Sequence, residues 1–169
     1  LEEGKSWDDA VALAKGKGFA EKDESRDVQG EDAADKITLL ASLIWNTPFD
    51  RSKVKPTGID IVTLHDMRIA GRLGTGNGYA IKPIAFARMH EDSVGIMVSP
   101  MLVRKDSFLV AHVRNERNGI MLDTLLGSHV TLEGPGAGGQ ATTSAVLSDV
   151  RRIAGEIRSG NIKTPPTLN

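Results

Sequence analysis

Many charged side chains lie in the stretch from Gly18 to Lys36, which comprises the loop after one predicted helix and the start of the next. Its members are Glu21, Asp23, Glu24, Asp27, Glu31, Asp32 and Asp35, interleaved with Lys22, Arg26 and Lys36. A helix N-terminus attracts acidic residues through its macrodipole, so a solvated loop explains this composition without any function. Asp32 and Lys36, however, lie four residues apart, which places them on one helical face as a candidate ion pair. Beside them runs the predicted apolar stripe of the same helix, which consists of Ala33, Ile37, Leu40, Ala41 and Ile44. If the protein does chemistry, we expect recognition of a charged substrate or proton transfer here.

A second candidate is the glycine-rich segment GPGAGG at residues 134–139. Its spacing matches G-x-G-x-x-G, and it follows a predicted strand and precedes a predicted helix, which is the local context of a dinucleotide-binding fingerprint. The second strand and the ribose-binding acid of a Rossmann unit do not follow in the sequence. Two interpretations therefore stay open: a tight strand-to-helix turn, or anion binding at a helix N-terminus.

The elements that must position these residues are predicted from hydrophobic periodicity and turn signals. The order is helices, then strands, then a closing helix, which indicates an α+β fold with a mixed, largely antiparallel sheet covered by helices. The stretch 107–113 is ambiguous between helix and strand. The predicted helices are a short one after Ser6, about 31–45, 63–73 and about 142–158, and the predicted strands are 79–89, 93–98 (ended by Ser99 and Pro100), 119–123 and 129–133.

Composition restricts the class of protein. The 169 residues, 40% hydrophobic and 25% charged, predict one globular domain over residues 1–169. A net charge of −1 makes nucleic acid and membrane surfaces poor partners. The absence of cysteine excludes disulfides and thiolate metal sites and fits a cytoplasmic location. The histidines are scattered without metal-ligand spacing, so we expect no metal; they are His65, His90, His112 and His129.

The charged stretch resembles a known signature, that of the homoserine dehydrogenase catalytic domain. The matching residues, in order, are Gly18-Phe19-Ala20-Glu21, Asp23, Asp27-Val28, Gly30, Asp32-Ala33-Ala34 and Lys36. Lys22 and Glu24 stand where the family usually has prolines, whose fixed φ stiffens this loop. The resemblance implies that Lys36 is the proton donor and acceptor for the substrate oxygen and that Asp32 binds substrate. It also implies that Glu21 binds the substrate's amino group, and Asp27 is placed to help it.

The glycine-rich segment resembles a second stretch of the same family. The matching residues are Gly134, Gly136-Ala137-Gly138-Gly139, Thr142, Ser144-Ala145-Val146 and Asp149, with Ala141 in place of the usual proline. In the family this segment returns toward the cofactor, so Gly136, Ala137 and Gly138 are expected to approach NAD or NADP. Asn118 resembles a family asparagine, although a turn residue is an equally good interpretation.

The implied reaction interconverts L-aspartate-4-semialdehyde and L-homoserine, a step toward threonine, methionine and isoleucine. The resemblance covers nearly all 169 residues but only the second part of the family's architecture, so we expect a catalytic domain without the N-terminal Rossmann domain. By itself this chain is then expected to be folded but inactive. Family members pair through the sheet of this domain, which predicts a homodimer. Two alternatives stay open: a non-catalytic dimerisation domain, and an oxidoreductase for another amino-acid semialdehyde.

Overall fold

The computed structural model describes residues 7–16, 25–74, 76–114, 117–136 and 138–161. The chain divides into two compact units, Leu1–His112 and Val113–Asn169. The first unit holds the helices α1 (Trp7–Gly16), α2 (Ser25–Val28), α3 (Glu31–Ile44), α4 (Leu64–Ala70) and α5 (Phe108–Ala111), the 3-10 helix Arg51–Lys53, and the strands β1 (Tyr79–His90) and β2 (Ser93–Arg104). The second holds β3 (Arg117–Asp123), β4 (His129–Pro135) and α6 (Gly139–Ser159).

Helix α3 is the element on which the first unit is built. It begins after Gly30 and ends at Ile44, which confirms the helix predicted from periodicity. Its buried face consists of Ala34, Thr38 and Ala41, whereas Ile44, placed by the pattern on the apolar stripe, is 54% exposed. The small side chains on this face let α3 lie close to the β1–β2 hairpin, and Ala34 joins Val54 and Val98 in the core cluster.

The β1–β2 hairpin pairs antiparallel from Tyr79 opposite Arg104 to His90 opposite Ser93. The prediction that Ser99 and Pro100 end the second strand is wrong, because β2 continues to Arg104. Pro100 lies directly opposite Pro83. Neither proline has an N–H to donate. Opposite residues in an antiparallel pair of strands alternate between hydrogen-bonded and non-hydrogen-bonded pairs, and two prolines fit at a pair of the second kind.

The connection between α3 and α4 forms hydrogen bonds with β2 and with the end of α2. The Thr57 N–H donates to the Val98 carbonyl at 2.9 Å, and the Ile59 N–H donates to the Val28 carbonyl at 2.8 Å. Residues 56–59 therefore bridge the end of α2 and the middle of β2. The buried Val54 immediately after the 3-10 helix anchors the same connection in the core.

Helix α4 begins with a capping box. The Thr63 hydroxyl accepts from the Asp66 N–H at 3.2 Å, and the Asp66 carboxylate accepts from the Thr63 N–H at 2.9 Å. The hydrogen bond from the Thr63 hydroxyl, followed by that from the Thr63 main chain, lowers the pKa of Asp66 below its usual value of 3.8. The start of α4 thus depends on an ionised carboxylate.

This dependence predicts an acid-sensitive contribution to stability. The pKa of Asp66 is lower in the folded protein than its usual value of 3.8. The contribution of Asp66 to the free energy of unfolding is therefore complete at pH values above about 3.8 and is lost as the pH falls through the pKa of the folded protein. Asp66→Asn should therefore destabilise the protein at pH 7 and match the parent protein at strongly acidic pH, in urea unfolding followed by circular dichroism. Thr63→Val, which removes the hydroxyl donor, should weaken the same pH dependence. A destabilisation independent of pH would contradict this role.

The second unit contains one antiparallel hairpin followed by a long helix. β3 and β4 pair from Arg117 opposite Pro135 to Asp123 opposite His129, and α6 runs for 21 residues to a left-handed cap at Gly160. The predicted strand pair and closing helix are confirmed, and with them the α+β class. Every strand pairing in the described ranges is antiparallel. No helix in the described part of the chain is long and apolar enough to cross a membrane.

Candidate active site

The structure joins the two central candidates of the charged stretch. Lys36 Nζ donates to Asp32 Oδ2 at 2.6 Å across one turn of α3. The two side chains are 56% and 44% exposed. An exposed pair of this kind contributes only about 0.2–1 kcal/mol to stability. The hydrogen bond orients the Lys36 ammonium, and the exposure of the pair leaves this group accessible to a ligand.

A network of carboxylates and guanidinium groups lies beside this pair, in the first turns of α3. Arg51 donates through Nε to Asp35 Oδ1 at 2.6 Å and through a terminal nitrogen to the Glu31 carboxylate. It also donates to the Val54 carbonyl at 2.9 Å and to the Glu31 carbonyl at 3.2 Å. Arg26 of α2 donates to the other Asp35 oxygen at 2.6 Å. The network therefore ties α2, α3 and the 3-10 helix together.

Arg51 is the least exposed charged group in this network, with 29% of its side chain accessible. Partial burial disfavours its charge, but hydrogen bonds to Asp35 and then Glu31 outweigh that effect and raise the pKa of its guanidinium. The group is a permanent cation between two carboxylates that lie four residues apart on α3.

Of the two substrate-binding candidates, Asp27 and Glu21, the structure describes only Asp27. Asp27 lies on α2 with its side chain exposed, and its carbonyl accepts from the Gly30 N–H at 3.2 Å in the turn that leads into α3. That turn places Asp27 in the segment immediately before the Asp32–Lys36 pair. Glu21 lies outside the described residues.

In the second unit, two of the predicted cofactor residues are described and one, Ala137, is not. A Cβ at Gly136 would overlap the Asn118 side-chain amide, so the structure brings Gly136 against Asn118 of β3. Gly138 has φ 105°, precedes α6 as its N-cap, and makes no side-chain capping bond. Gly138 thus supplies no side-chain acceptor to the main-chain N–H groups at the start of α6, and the N-terminus of a helix can bind an anion.

Arg51 is the residue that sequence reasoning missed. Its partners lie 16 and 20 residues earlier in the chain, so no helical or strand period relates them. The only local signal is an arginine in a polar, proline-bearing connection, which is also typical of a solvated loop. In the part of the chain that the structure describes, no group of three or more His, Asp or Glu side chains could hold a metal ion.

Comparisons with known proteins give one consistent family. A family model described as homoserine dehydrogenase matches residues 1–150. The homoserine dehydrogenase of Synechocystis is 40% identical over 163 residues, covering 94% of this chain and 36% of the relative. That of Pseudomonas aeruginosa is 35% identical over 149 residues, covering 88% of this chain and 33% of the relative. The chain thus spans about a third of the length of the curated relatives it matches.

Solved structures show the same similarity. The crystal structure of the S. aureus homoserine dehydrogenase at pH 7.5 matches with a TM-score of 0.79 and 35% sequence identity. The match covers 99% of this chain and 40% of that one.

Proposed function

The chain belongs to the homoserine dehydrogenase family, and from this membership we propose that it supplies the catalytic and substrate-binding domain of an NAD(P)-dependent homoserine dehydrogenase. The reaction interconverts L-aspartate-4-semialdehyde and L-homoserine. The observation that carries the proposal is the Lys36 ammonium held 2.6 Å from Asp32 at the edge of an acidic segment. The nucleotide-binding domain would belong to the same enzyme but to residues other than these 169.

Lys36 performs the proton transfer in this proposal. Reduction of an aldehyde puts negative charge on its oxygen, which requires both a proton donor within hydrogen-bond reach and a nearby cation. A lysine ammonium supplies both at neutral pH. The oxidation of homoserine is the reverse step, in which Nζ starts as the neutral amine, takes up the hydroxyl proton and ends as the ammonium. Asp32, bonded to Nζ, fixes where the ammonium points and helps to bind substrate.

The acidic residues before α3 recognise the substrate's amino group. Asp27 is exposed on α2, close in the chain to the Asp32–Lys36 pair, and Glu21 precedes it in the same acidic segment. Carboxylates are acceptors that match an α-ammonium group, and charge-assisted hydrogen bonds give both affinity and orientation. The negative charge of the segment therefore selects an amino-acid substrate.

The glycine segment of the second unit is assigned to the cofactor. NAD or NADP supplies or receives the hydride. At Gly138 a Cβ would meet no atom within 4 Å, which fits a close approach of the nicotinamide nucleotide. At Gly136 that space is occupied by the Asn118 side-chain amide, so the assignment of Gly136 rests on the resemblance of the segment. Ala137 lies between them in the sequence and is assigned with them.

A homodimer through the sheet completes the proposal. The face of the β1–β2 hairpin that points away from α3 carries Phe86 directly opposite Met97, and these side chains are 45% and 44% exposed. Apolar groups exposed side by side on a sheet are typical of a surface that is covered in an assembly. This observation supports pairing of two copies through the hairpin.

The assay that tests the function uses the complete gene product that carries this sequence. With L-homoserine and NAD or NADP, we expect reduced cofactor to accumulate, as followed by absorbance, and kcat/KM to be higher for L-homoserine than for L-serine or L-threonine. A preference for another amino alcohol would favour the alternative semialdehyde substrate. Cofactor binding without turnover of any of them would favour a non-catalytic dimerisation domain.

The substrate role of Asp27 has its own expected result. In the same enzyme, Asp27→Asn should raise KM for L-homoserine by about 10- to 100-fold, since a hydrogen bond to a charged group contributes about 1.5–3 kcal/mol. The KM for the cofactor should not change. Asp92→Asn, at an exposed position in the β1–β2 turn, is the matched control. An unchanged KM for L-homoserine in Asp27→Asn would remove Asp27 from the site.

A further inference from the structure

Resting on the proposed function, we propose that Arg51 is a positioning residue for Lys36 and Asp32. Arg51 holds the first turns of α3 against the core of the first unit, and through them it fixes the direction of the Asp32–Lys36 pair. Nothing about its place in the sequence identifies it. The assignment rests on its contacts.

The first turn of α3 needs such a support. Its N-cap is Gly30, which makes no side-chain capping bond, and the first N–H groups of a helix have no partner within the helix. Glu31 and Asp35 are carboxylates four residues apart on one face, and like charges at this spacing repel each other. The macrodipole favours each carboxylate at this end of the helix, but their mutual repulsion remains, and a cation between them relieves it.

Arg51 meets the charge requirement with one side chain, because it places a cation between the two carboxylates; a guanidinium only donates, so it does not cap the helix N–H groups. Its guanidinium bonds Asp35 through Nε and the Glu31 carboxylate and carbonyl through a terminal nitrogen. Its other terminal nitrogen bonds the Val54 carbonyl at 2.9 Å, and Val54 is a buried core residue. The planar guanidinium thus links the start of α3 to the core. A lysine ammonium is a single point of charge and cannot reproduce this set of bonds.

The link reaches the proposed active site through the helix itself. Glu31 immediately precedes Asp32, and Asp35 immediately precedes Lys36. Both residues that Arg51 holds are therefore chain neighbours of the two residues that act on substrate. Both Asp35 oxygens are occupied by guanidinium groups, Oδ1 by Arg51 and Oδ2 by Arg26. Because both oxygens already accept from an arginine, Asp35 competes less with Asp32 for the Lys36 ammonium.

The activity test compares Arg51→Gln with the parent enzyme in the complete gene product. Because misplacement of a catalytic group by about 1 Å can cost about 100-fold, we expect kcat for homoserine oxidation to fall about 10- to 100-fold. The KM for the cofactor should stay unchanged, and Arg51→Lys should restore only part of the loss. Arg104→Gln, which removes an exposed guanidinium paired with Asp106, should retain full activity.

Two further measurements separate positioning from general destabilisation. In a Lys36→Ala background, Arg51→Gln should cause no additional loss of rate, because the group it positions is already gone. Val54→Ala, which weakens the same core, should lower the melting temperature while retaining most of kcat. Additive losses in the double variant, or an unchanged kcat in Arg51→Gln, would overturn the inference.

The structural part of the inference is measured without any turnover. Arg51→Gln in the complete gene product should speed amide hydrogen exchange at residues 34–36, the first amides bonded within α3, more than at residues 40–44. Uniform or unchanged exchange would overturn the inference even in an active enzyme. Conversely, an enzyme that does not oxidise homoserine but shows the localised exchange would reject the proposed function and leave the anchoring role of Arg51 standing.

Discussion

Replacing Lys36 by alanine is expected to lower kcat for homoserine oxidation by about 100- to 10,000-fold, the range that a positioned acid–base group contributes. The ammonium is the proton donor and the cation nearest the reacting oxygen in the proposed mechanism, so both functions disappear together. The pair with Asp32 is exposed, and its loss should hardly change the free energy of unfolding. A large loss of rate with little loss of stability is therefore the expected signature.

The measurement is steady-state turnover together with cofactor binding, both in the complete gene product. Cofactor affinity should stay the same, because the residues assigned to the cofactor lie in the glycine segment at 136–138. Lys55→Ala removes an exposed ammonium from the connection between the 3-10 helix and α4 and serves as the matched control. Full turnover by the Lys36→Ala enzyme would sink the proposed role of Lys36.

Gly30→Ala is expected to destabilise the first unit by about 2–5 kcal/mol. Gly30 has φ 79°, and a left-handed residue with a Cβ costs about 1–2 kcal/mol. A Cβ at this position would also lie 3.2 Å from Val98 Cγ1 and 3.3 Å from Pro56 Cβ, both closer than ordinary contact. Overpacking against a buried side chain such as Val98 adds about 1–3 kcal/mol.

Urea unfolding of Gly30→Ala measures this loss, with Gly95→Ala as the control in the same unit. Gly95 lies in β2 with its nearest neighbour 4.0 Å from a built Cβ and no left-handed φ, so alanine should be tolerated there. Because Gly30 is the N-cap of α3, activity should fall with stability in Gly30→Ala. Equal stabilities of the two variants would show that the start of α3 is not strained by a Cβ.

Part of this architecture could be predicted from local pattern. Helix α3, both hairpins and α6 follow from hydrophobic periodicity and from turn residues. These signals depend only on residues that are close to one another in the sequence. The length of β2 could not be predicted, since proline is an unfavourable strand residue unless its partner position needs no hydrogen bond. The pairing of Pro83 with Pro100 meets that condition, and only the register reveals it.

The candidate site divides in the same way. The contact between Asp32 and Lys36 follows from a spacing of four, and the resemblance of the acidic and glycine segments to homoserine dehydrogenases identified the family that the comparisons confirm. The buried face of α3 was predicted only in part: Ala41 is buried, but Ile44 is exposed. Small residues form the face because the hairpin approaches closely, and that approach is a property of packing.

The sequence by itself determined which ammonium and which carboxylate lie on one helical turn, and which family the chain belongs to. Only the tertiary structure decided what holds that turn in place. Arg51 reaches Asp35 and Glu31 across 16 and 20 residues, and Asn118 meets Gly136 across the β3–β4 hairpin. Contacts within a helical turn are fixed by the helical repeat. Contacts between elements depend on how those elements pack in the folded chain, and the spacing of residues within one element does not predict that packing.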